Sequence, residues 1–346
     1  MRAGVYKKDP ARIEIMDIPT PEADGQRAII KVEAVGICGS DLTAYKEEAK
    51  PEGIIFGHEY AGTVVDPGAN PDLKAGDRVI VFPTNHCEVC TECRRGLYHL
   101  CLPNVAGGRA QGLGLAYPGA FAEYVWALSQ HTHKIPDQMS FEQATMVEPI
   151  AVCLRGVHQA GVFAGSRVLI TGAGFIAVSA ALMAKLAGAT YIAVSARTPE
   201  KAQILLDQGI VDAVFDAKEP DHVDQLKAAS GRGFDFALEC TGSGDVLLQC
   251  VQTARPGGRI CLLGISRSPL SVFMNTLIAV KELTLIGSMG YTEEEFMAAV
   301  DMIAGGKIDV MPYISKRIGL GELNETIKGL IDRSLKAVKV VLHPHG

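Results

Sequence analysis

Four cysteines fall in one short run of this 346-residue chain, and they are Cys87, Cys90, Cys93 and Cys101. Two-residue gaps let successive thiolates bend around one ion, because a tight turn brings the sulfurs within about 4 Å when each Zn–S bond is about 2.3 Å. Four thiolates close a tetrahedron without an open position, which is typical of structural zinc. The sequence therefore predicts a structural zinc lobe over residues 86–102. Since four sulfurs suffice, we expect His86 and His99 to be surface residues.

A second set of potential ligands mixes sulfur, nitrogen and oxygen, and it comprises Cys38, His58, Glu59 and Glu148. Thiolate, imidazole and carboxylate are the mixed donors of a catalytic zinc, which keeps one position for water or a substrate oxygen. Each residue alone is more typical of packing or of the surface. Their co-occurrence with the four-cysteine run favours two zinc ions per chain, one structural and one catalytic.

A glycine-rich run in the middle of the chain has the G-x-G-x-x-A spacing of a dinucleotide-binding turn. Its expected cofactor-binding residues are Gly172, Gly174, Phe175, Ile176 and Ala177. Gly172 permits the tight turn, Gly174 lets the backbone approach a pyrophosphate, and Ala177 lets helix pack on strand. The N-terminus of the following helix then faces the phosphates. The run is a weak signal alone, but here a predicted strand precedes it and a predicted helix, 178–186, follows it.

The end of the next strand bears on the choice of cofactor. An acid at this position hydrogen-bonds the adenosine ribose of NAD, but the turn reads Ser195-Ala-Arg-Thr198 and has no acid. Because Ala196 stands where that carboxylate would be, a 2′-phosphate would meet no charge repulsion there. Arg197 and Lys201 supply positive charge, and Ser195 supplies a hydroxyl donor. The turn therefore favours NADP(H) over NAD(H). The competing interpretation is that Arg197 is a solvated charge at the start of a helix.

These residues need elements to position them, and the pattern from residue 166 onward alternates short apolar strands with helices. The predicted strands span 167–171, 191–195, 213–216, 234–239, 259–264 and 284–288. Six strands with interleaved helices predict an α/β fold with a doubly wound parallel sheet.

Composition excludes several classes of function. A net charge of -6 with 6% aromatic residues offers no basic field for a phosphate backbone, so we expect no nucleic-acid partner. The charged first ten residues are unlike a signal peptide, and the longest uncharged stretch, 168–184, is interrupted by glycine and polar residues, so no membrane span is predicted. Nine cysteines in a chain of this length favour thiolate metal sites in a reducing compartment, and we expect a cytoplasmic protein.

Together these motifs resemble the zinc-dependent medium-chain dehydrogenase/reductase family of the alcohol dehydrogenase superfamily, over essentially the whole chain. The resemblance is greatest to the polyol and sorbitol dehydrogenase branch. It implies a GroES-like β-barrel catalytic domain over 1–151 and 289–346, with a Rossmann dinucleotide-binding domain inserted over 152–288. It also implies a homo-oligomer, with a tetramer slightly favoured over a dimer.

The resemblance also assigns roles to the catalytic residues. Cys38 and His58 match ligands of the catalytic zinc, and either Glu59 or Glu148 completes the set, a choice that the sequence leaves open. The remaining matches concern the proton and the ligand histidine, and they are Ser40, Asp41 and Thr43. The Ser40 hydroxyl matches the group that passes the substrate proton away from zinc, and the Asp41 side chain matches the acid that orients the histidine. Many relatives carry a histidine relay where this chain has threonine, so the exit path of the proton stays open.

The chemistry implied is hydride transfer between a nicotinamide cofactor and an alcohol or carbonyl that zinc polarises. Carboxylates at Glu59 and Glu148 favour a hydroxyl-rich substrate, so we expect a polyol, sugar alcohol, cyclitol or ketose. The alternatives are a threonine-type or simple secondary-alcohol dehydrogenase that uses NAD. A zinc-free quinone or enone reductase and a zinc-stabilised binding protein are disfavoured by the ligand set and, for the latter, by the acidic charge.

The remaining histidines and cysteines have simpler interpretations. We expect three surface histidines, His131, His133 and His158. We expect four buried small hydrophobic residues, Cys153, Cys240, Cys250 and Cys261.

Overall fold

The computed structural model describes residues 1–48, 50–106, 114, 116–265 and 275–346. These residues form two compact units. The first consists of Met1–Glu148 and Thr292–Gly346, and the second consists of Pro149–Tyr291. One continuous unit therefore interrupts the chain of the other.

The strands fall into three groups along the chain. The first unit begins with β1 (Arg2–Lys7), β2 (Arg12–Asp17), β3 (Arg27–Gly36), β4 (Glu59–Asp66), β5 (Arg78–Val81), β6 (Tyr124–Leu128) and β7 (Thr132–Lys134). The second unit contains β8 (Arg167–Thr171), β9 (Tyr191–Ala196), β10 (Ala213–Asp216), β11 (Phe234–Glu239), β12 (Ala254–Leu262) and β13 (Thr284–Gly287). The chain returns to the first unit with β14 (Ile314–Gly319) and β15 (Lys339–His343).

The helices follow the same division. Before the second unit they are α1 (Gly39–Lys46), α2 (Thr91–Arg94), α3 (Leu102–Ala106) and α4 (Phe141–Thr145), and α5 (Val147–Ala160) leads into it. The second unit continues with α6 (Phe175–Leu186), α7 (Gln203–Asp207), α8 (His222–Ser230), α9 (Gly244–Thr253) and α10 (Asn275–Val280). The last two are α11 (Glu293–Ala304) and α12 (Leu323–Asp332).

The first unit is built around β3, a ten-residue strand that is long enough to pair with three partners. The main sheet has the order β14-β15-β3-β4-β5-β7, and β6 also pairs with β3. Every pairing is antiparallel except that of β14 with β15. Buried aromatic residues such as Tyr6, Phe56 and Phe121 fill the core beneath the sheet. The return segment thus completes a sheet that the N-terminal segment begins.

The second unit contains a parallel sheet with the order β10-β9-β8-β11-β12-β13. Numbered within the unit, this is the order 3-2-1-4-5-6 of a doubly wound sheet, as the alternation of strands and helices predicts. The order reverses between β8 and β11, which is where such sheets bind their ligands. The core includes Leu169, Phe234 and Ile260.

Two elements of this sheet differ from their predicted limits. Helix α6 begins at Phe175 rather than at residue 178, because Gly174 already serves as its N-cap with extended backbone. Strand β12 spans Ala254–Leu262 rather than 259–264. It ends early because the backbone N–H groups of Leu263 and Gly264 both donate to the Glu239 carbonyl, each at 2.8 Å, instead of continuing the ladder.

In the described part of the chain, no helix is both long enough and apolar enough to span a bilayer.

Candidate active site

The side chains of Cys38, His58 and Glu59 meet where β3 ends and β4 begins, within the main sheet of the first unit. Their ligand atoms all lie within 4.8 Å of one another. His58 and Glu59 are buried, with 4% and 1% of their surface exposed, while Cys38 is half-buried. Three of the four donors predicted from the sequence are therefore adjacent in space.

The register of β3 and β4 explains this meeting. Gly36, the last residue of β3, pairs with Glu59, the first residue of β4. Cys38 lies two residues beyond that pair on one strand, and His58 lies one residue before it on the other. A side chain at position 36 would overlap the Glu59 carboxylate, so the close approach requires glycine there.

Asp41 and Ser40 approach the imidazole of His58 at its two nitrogens. Asp41 Oδ1 lies 3.7 Å from His58 Nδ1, and Ser40 Oγ lies 3.5 Å from His58 Nε2. Asp41 Oδ2 accepts a hydrogen bond of 3.0 Å from the backbone N–H of Cys38, which fixes the carboxylate. The geometry matches the orienting role predicted for Asp41, and that role remains a prediction.

Lys339 is a residue of this cluster that the sequence analysis missed. It opens β15, is only 3% exposed, and forms an ion pair with Glu59 Oε2. Its Nζ also donates to the Ile37 carbonyl at 3.2 Å. The available signal was a single charge within the otherwise apolar run 337–342. Buried lysine is rare unless it is paired.

Glu148 lies near this cluster but outside the tight trio of ligand atoms. It belongs to the first turn of α5 and is half-buried. Its negative charge is one of the influences that raise the pKa of His58. Of the two carboxylates that the sequence offered as alternatives, Glu59 thus lies in the trio and Glu148 acts on the charge of the imidazole, and the choice between them stays open.

The electrostatics of the cluster suit a bound cation. Burial raises the pKa of Cys38, and the neighbouring Glu59 raises it further. Burial alone would lower the pKa of His58, but the charges of Cys38 and Asp41 outweigh it and raise that pKa well above its usual value. Asp41 Oδ1 and His58 Nδ1 also lack hydrogen-bond partners within the described residues. The cluster contains several acidic groups, and its one lysine is already paired with Glu59. A divalent ion would balance the remaining negative charge and suits the sulfur, nitrogen and oxygen donors.

The four cysteines of the predicted lobe also converge, with all four Sγ atoms within 4.8 Å of one another. The Sγ atoms of Cys87 and Cys93 are 3.9 Å apart, close to the separation of about 3.8 Å expected for two sulfurs on tetrahedral zinc. The backbone N–H of Cys90 donates to Cys87 Sγ at 3.3 Å. Hydrogen bonds from backbone N–H groups, first that of Cys93 and then that of Leu102, lower the pKa of Cys90 to about 6. Four thiols rather than disulfides meet here, which fits a closed zinc site.

The glycine turn lies at the end of β8, next to the end of β9. Gly172 adopts a φ of +97°, which favours glycine, and its N–H donates to the Ser195 carbonyl at 2.8 Å. No heavy atom outside the neighbouring residues lies within 4 Å of where a Gly174 Cβ would sit, so the backbone there is open to a ligand. The Ser195 hydroxyl is buried and has no hydrogen-bond partner in the described chain, while Arg197 is exposed. The turn therefore offers a donor and a positive charge beside one another.

Glu239 organises the loop beside this turn and was also missed. It ends β11 and is buried. Its carboxylate accepts hydrogen bonds from the backbone N–H groups of Thr241 at 2.7 Å and Gly242 at 3.0 Å. The Thr241 methyl lies 3.2 Å from the place of a Gly172 Cβ, so this loop limits what the turn can contain. An acid at the end of an apolar strand was the signal in the sequence.

Burial of the remaining histidines and cysteines differs in part from prediction. His131 is only 4% exposed, so its assignment to the surface was wrong, whereas His158 is exposed as predicted. His131 is buried because the 3-10 helix Ser129–His131 turns it under Phe82, whose ring centroid is 5.4 Å away. His86, His99 and His133 are half-buried. Three of the four remaining cysteines are buried as predicted, and Cys240 is half-buried.

Comparison with known proteins finds a matching domain family for each of the two units. Residues 24–137 match the alcohol dehydrogenase GroES-like domain, and residues 176–305 match the zinc-binding dehydrogenase domain. The chain is 29% identical to sorbitol dehydrogenase of Bacillus subtilis, over 100% of this chain and 98% of the relative. It is 31% identical to L-threonine 3-dehydrogenase of Klebsiella pneumoniae, over 99% of each.

A solved structure adds a ligand to this comparison. A putative zinc-binding dehydrogenase from Sinorhizobium meliloti, bound to NADP, superimposes with a TM-score of 0.88 at 30% identity over 99% of each chain. These matches confirm the predicted fold class, a GroES-like domain together with a doubly wound Rossmann domain.

Proposed function

Because this chain belongs to the zinc-dependent medium-chain dehydrogenase/reductase family and is an NAD(P)-dependent dehydrogenase of alcohols, we propose that its substrate is a polyol, sugar alcohol, cyclitol or ketose and its cofactor NADP(H). The observation that carries this proposal is the close trio of half-buried Cys38 with buried His58 and Glu59, and Glu148 nearby. Because one of the two carboxylates suffices to complete the zinc ligands, the other can accept hydrogen bonds from substrate hydroxyls.

We assign two zinc sites per chain. Cys38, His58 and one of Glu59 or Glu148 hold the catalytic ion, and the four-cysteine lobe holds the structural ion. When bound, the catalytic zinc polarises the alcohol or carbonyl oxygen, and the nicotinamide carries the hydride.

The residues of the chain supply the positioning and the proton path. The Ser40 hydroxyl is exposed beside the ligand cluster and takes up the proton of the substrate alcohol. Asp41 holds the His58 ring from the Nδ1 side, so that Nε2 faces the cluster. Thr43 offers no imidazole relay, so the proton needs another exit, which the ribose of a bound cofactor together with water would supply. In the reverse direction the same hydroxyl returns the proton.

The preference for NADP(H) rests on the turn after β9. Ala196 brings no carboxylate, the buried Ser195 hydroxyl has no hydrogen-bond partner in the described chain, and Arg197 is exposed there. Lys201 lies at the end of the adjoining 3-10 helix Pro199–Lys201. The NADP bound to the Sinorhizobium meliloti relative supports the same choice.

Fluorescence titration with NADPH and NADH tests this preference. A charge-assisted hydrogen bond to a phosphate contributes about 1.5–3 kcal/mol, so Arg197→Asp should weaken NADPH binding by about 10-fold to 100-fold. Ala196→Asp should act in the same direction and improve NADH binding relative to NADPH. The exposed Lys218→Asp, a matched charge change in the same unit, should leave both affinities unchanged. Tighter binding of NADH than NADPH by the unaltered protein would refute the preference.

A threonine-type activity is the second candidate, because the similarity to L-threonine 3-dehydrogenase reaches 31% identity over nearly the full length. Initial rates with sorbitol, galactitol, fructose, L-threonine and 2-butanol separate the candidates. The proposal expects the highest kcat/KM for a polyol or ketose. A preference for L-threonine would replace it with the second candidate, and a preference for 2-butanol would indicate a simple alcohol dehydrogenase.

We further propose a cytoplasmic homotetramer. The nine cysteines are all free thiols, which suits a reducing compartment. Strand β13 is the last strand of its sheet, and such an edge can pair with a second copy. Sedimentation velocity should give four times the chain mass of 36.8 kDa, and a monomer would contradict this.

A further inference from the structure

A third cluster of metal-ligating side chains lies in the first unit and shares no ligand with either zinc site assigned above. It consists of His131, His133 and Glu293, whose ligand atoms lie within 4.8 Å of one another. A cavity of about 420 Å³ adjoins it. His131 and Glu293 line that cavity together with His86, Glu88, Tyr98 and Cys93, the last of these from the four-cysteine lobe. The proposed dehydrogenase chemistry makes no use of this cluster.

The local structure holds the three side chains together. His133 lies in β7, and His131 lies two residues earlier, where the N–H of Phe82 donates to its carbonyl at 2.9 Å and extends the pairing with β5. The 3-10 helix that ends at His131 and the strand that carries His133 bring both imidazoles to the same Glu293 carboxylate. Glu293 opens α11, which Thr292 caps by accepting the N–H of Glu295 at 3.1 Å.

The surroundings of His131 suggest a ligand for this cluster. The residue is 4% exposed, its Nδ1 lies 3.6 Å from Glu293 Oε1, which is too far for a hydrogen bond, and its Nε2 has no hydrogen-bond partner in the described chain. Leaving a buried polar group without a partner destabilises the folded state, so native structures rarely keep one without a reason. A metal ion bound to the ring would remove that cost.

The separations of the ligand atoms suit one ion. Glu293 Oε1 lies 2.9 Å from His133 Nε2 and 3.6 Å from His131 Nδ1. Tetrahedral zinc with bonds of about 2.0–2.2 Å to nitrogen and oxygen separates its ligand atoms by about 3.3–3.5 Å. The observed values bracket that separation. The neighbouring imidazoles, first His131 and then His133, lower the pKa of Glu293 to about 2, so the side chain is a carboxylate at neutral pH.

We propose that His131, His133 and Glu293 form a third metal site, which binds a divalent transition-metal ion of the zinc, cobalt and nickel class. Two imidazoles and one carboxylate suit such ions better than Mg²⁺ or Ca²⁺, which prefer oxygen ligands. Three protein ligands leave a fourth position for water from the cavity. His86 and Glu88 form another close group with His131, but the His86 ring is stacked on Tyr98 at 3.9 Å and is already engaged.

The ion would connect two distant parts of the chain. It would join β7, in the segment before the second unit, to α11, in the return segment after it. Binding to the folded state alone raises stability with metal concentration. The proposed site is therefore a structural or regulatory one, and it does not depend on the identity of the substrate.

Cobalt titration of protein that holds only two zinc ions per chain, one at each cysteine-containing site, tests this site. Equilibrium dialysis with metal analysis should show one Co²⁺ per chain beyond the zinc already bound. Because its ligands are nitrogen and oxygen, this cobalt should give d–d bands without a thiolate-to-cobalt charge-transfer band. Cobalt that had replaced zinc at either cysteine-containing site would show that thiolate band, and an extra equivalent of that kind would count against the site.

Two variants and one matched control identify the ligands. His133→Gln and Glu293→Gln should each weaken binding of the extra Co²⁺ by tenfold or more. Glu294→Gln removes the same charge from the next, exposed residue of α11 and should bind as the unaltered protein does. Retention of zinc and an unchanged circular dichroism spectrum establish that the variants fold. Equal cobalt binding by all four proteins, or no extra equivalent in the unaltered protein, would overturn the proposal.

Discussion

At the scale of single residues, the pair of Glu59 and Lys339 sets the charge beside the candidate catalytic site. Both side chains are almost completely buried, at 1% and 2% exposed. The lysine neutralises the carboxylate that adjoins His58, so an ion bound by Cys38 and His58 meets less negative charge than the sequence alone suggests. Whether Glu59 or Glu148 completes the ligand set depends on how strongly this lysine holds Glu59.

Removing that lysine should destabilise the protein strongly. Lys339→Met leaves a buried carboxylate uncompensated, and breaking a buried pair in this way costs about 3–5 kcal/mol of unfolding free energy. Denaturant unfolding at neutral pH measures the change. Lys336→Met, at an exposed position three residues earlier, is the control and should have little effect. Adding Glu59→Gln to Lys339→Met should recover part of the loss. A Lys339→Met protein as stable as the control would show that the pair contributes nothing.

At the scale of elements, the four-cysteine lobe depends on its ion more than on packing. Helices α2 and α3 have four and five residues, which is too short for stability alone. Between them lies the 3-10 helix Tyr98–Leu100, and only Cys93 is buried in α2. With so little apolar contact, the sulfurs must supply the constraint that keeps these short elements in place.

Loss of one thiolate should therefore remove one ion and release the lobe. Cys90→Ser should reduce zinc from two to about one per chain and make the backbone of residues 86–102 exchange its amide hydrogens faster. Cys250→Ser, at a buried cysteine of α9, is the matched control and should keep both ions. Metal analysis and hydrogen exchange measured by mass spectrometry provide the two observations. Full zinc in the Cys90→Ser protein would contradict a four-thiolate site.

At the scale of the whole molecule, the first unit must be assembled from two segments that the second unit separates along the chain. Glu142, in α4, joins them. It forms a bidentate pair with Arg317 of β14 at 2.7 and 2.8 Å and accepts a hydrogen bond of 2.9 Å from His343 of β15. The hydrogen bonds from Arg317 are the main cause that lowers the pKa of Glu142, and that from His343 adds to it.

This junction should show a defined dependence on pH. Because the pKa of Glu142 is lower in the folded state, its contribution is complete above the ordinary value of 4.5 and is lost as pH falls through the folded value. Arg317 is half exposed, so we expect Glu142→Gln to cost only about 0.5–1 kcal/mol at pH 7. The difference should shrink as pH falls below about 4.5. Urea unfolding across this range, with Glu294→Gln as the control, measures it, and a constant difference at every pH would contradict the assignment.

The sequence by itself determined the parts of this protein that depend on local spacing. Two-residue gaps between cysteines, the turn Gly172 to Ala177, and the alternation of strands and helices each encode their geometry within a few residues. The fold class, the four-cysteine cluster and the strand order of the second unit were therefore predictable. The limits of α6 and β12 were less so, because capping by Gly174 and the bonds to the Glu239 carbonyl decide where those elements begin and end.

Only the tertiary structure decided which distant residues meet. Lys339 reaches Glu59 across 280 positions of sequence, and His131 and Glu293 belong to segments on either side of the second unit. No periodicity or motif links such pairs, because strand pairing and burial create their contacts after the chain has folded. The burial of His131 is decided in the same way, which is why a residue predicted at the surface became the centre of the proposed third metal site.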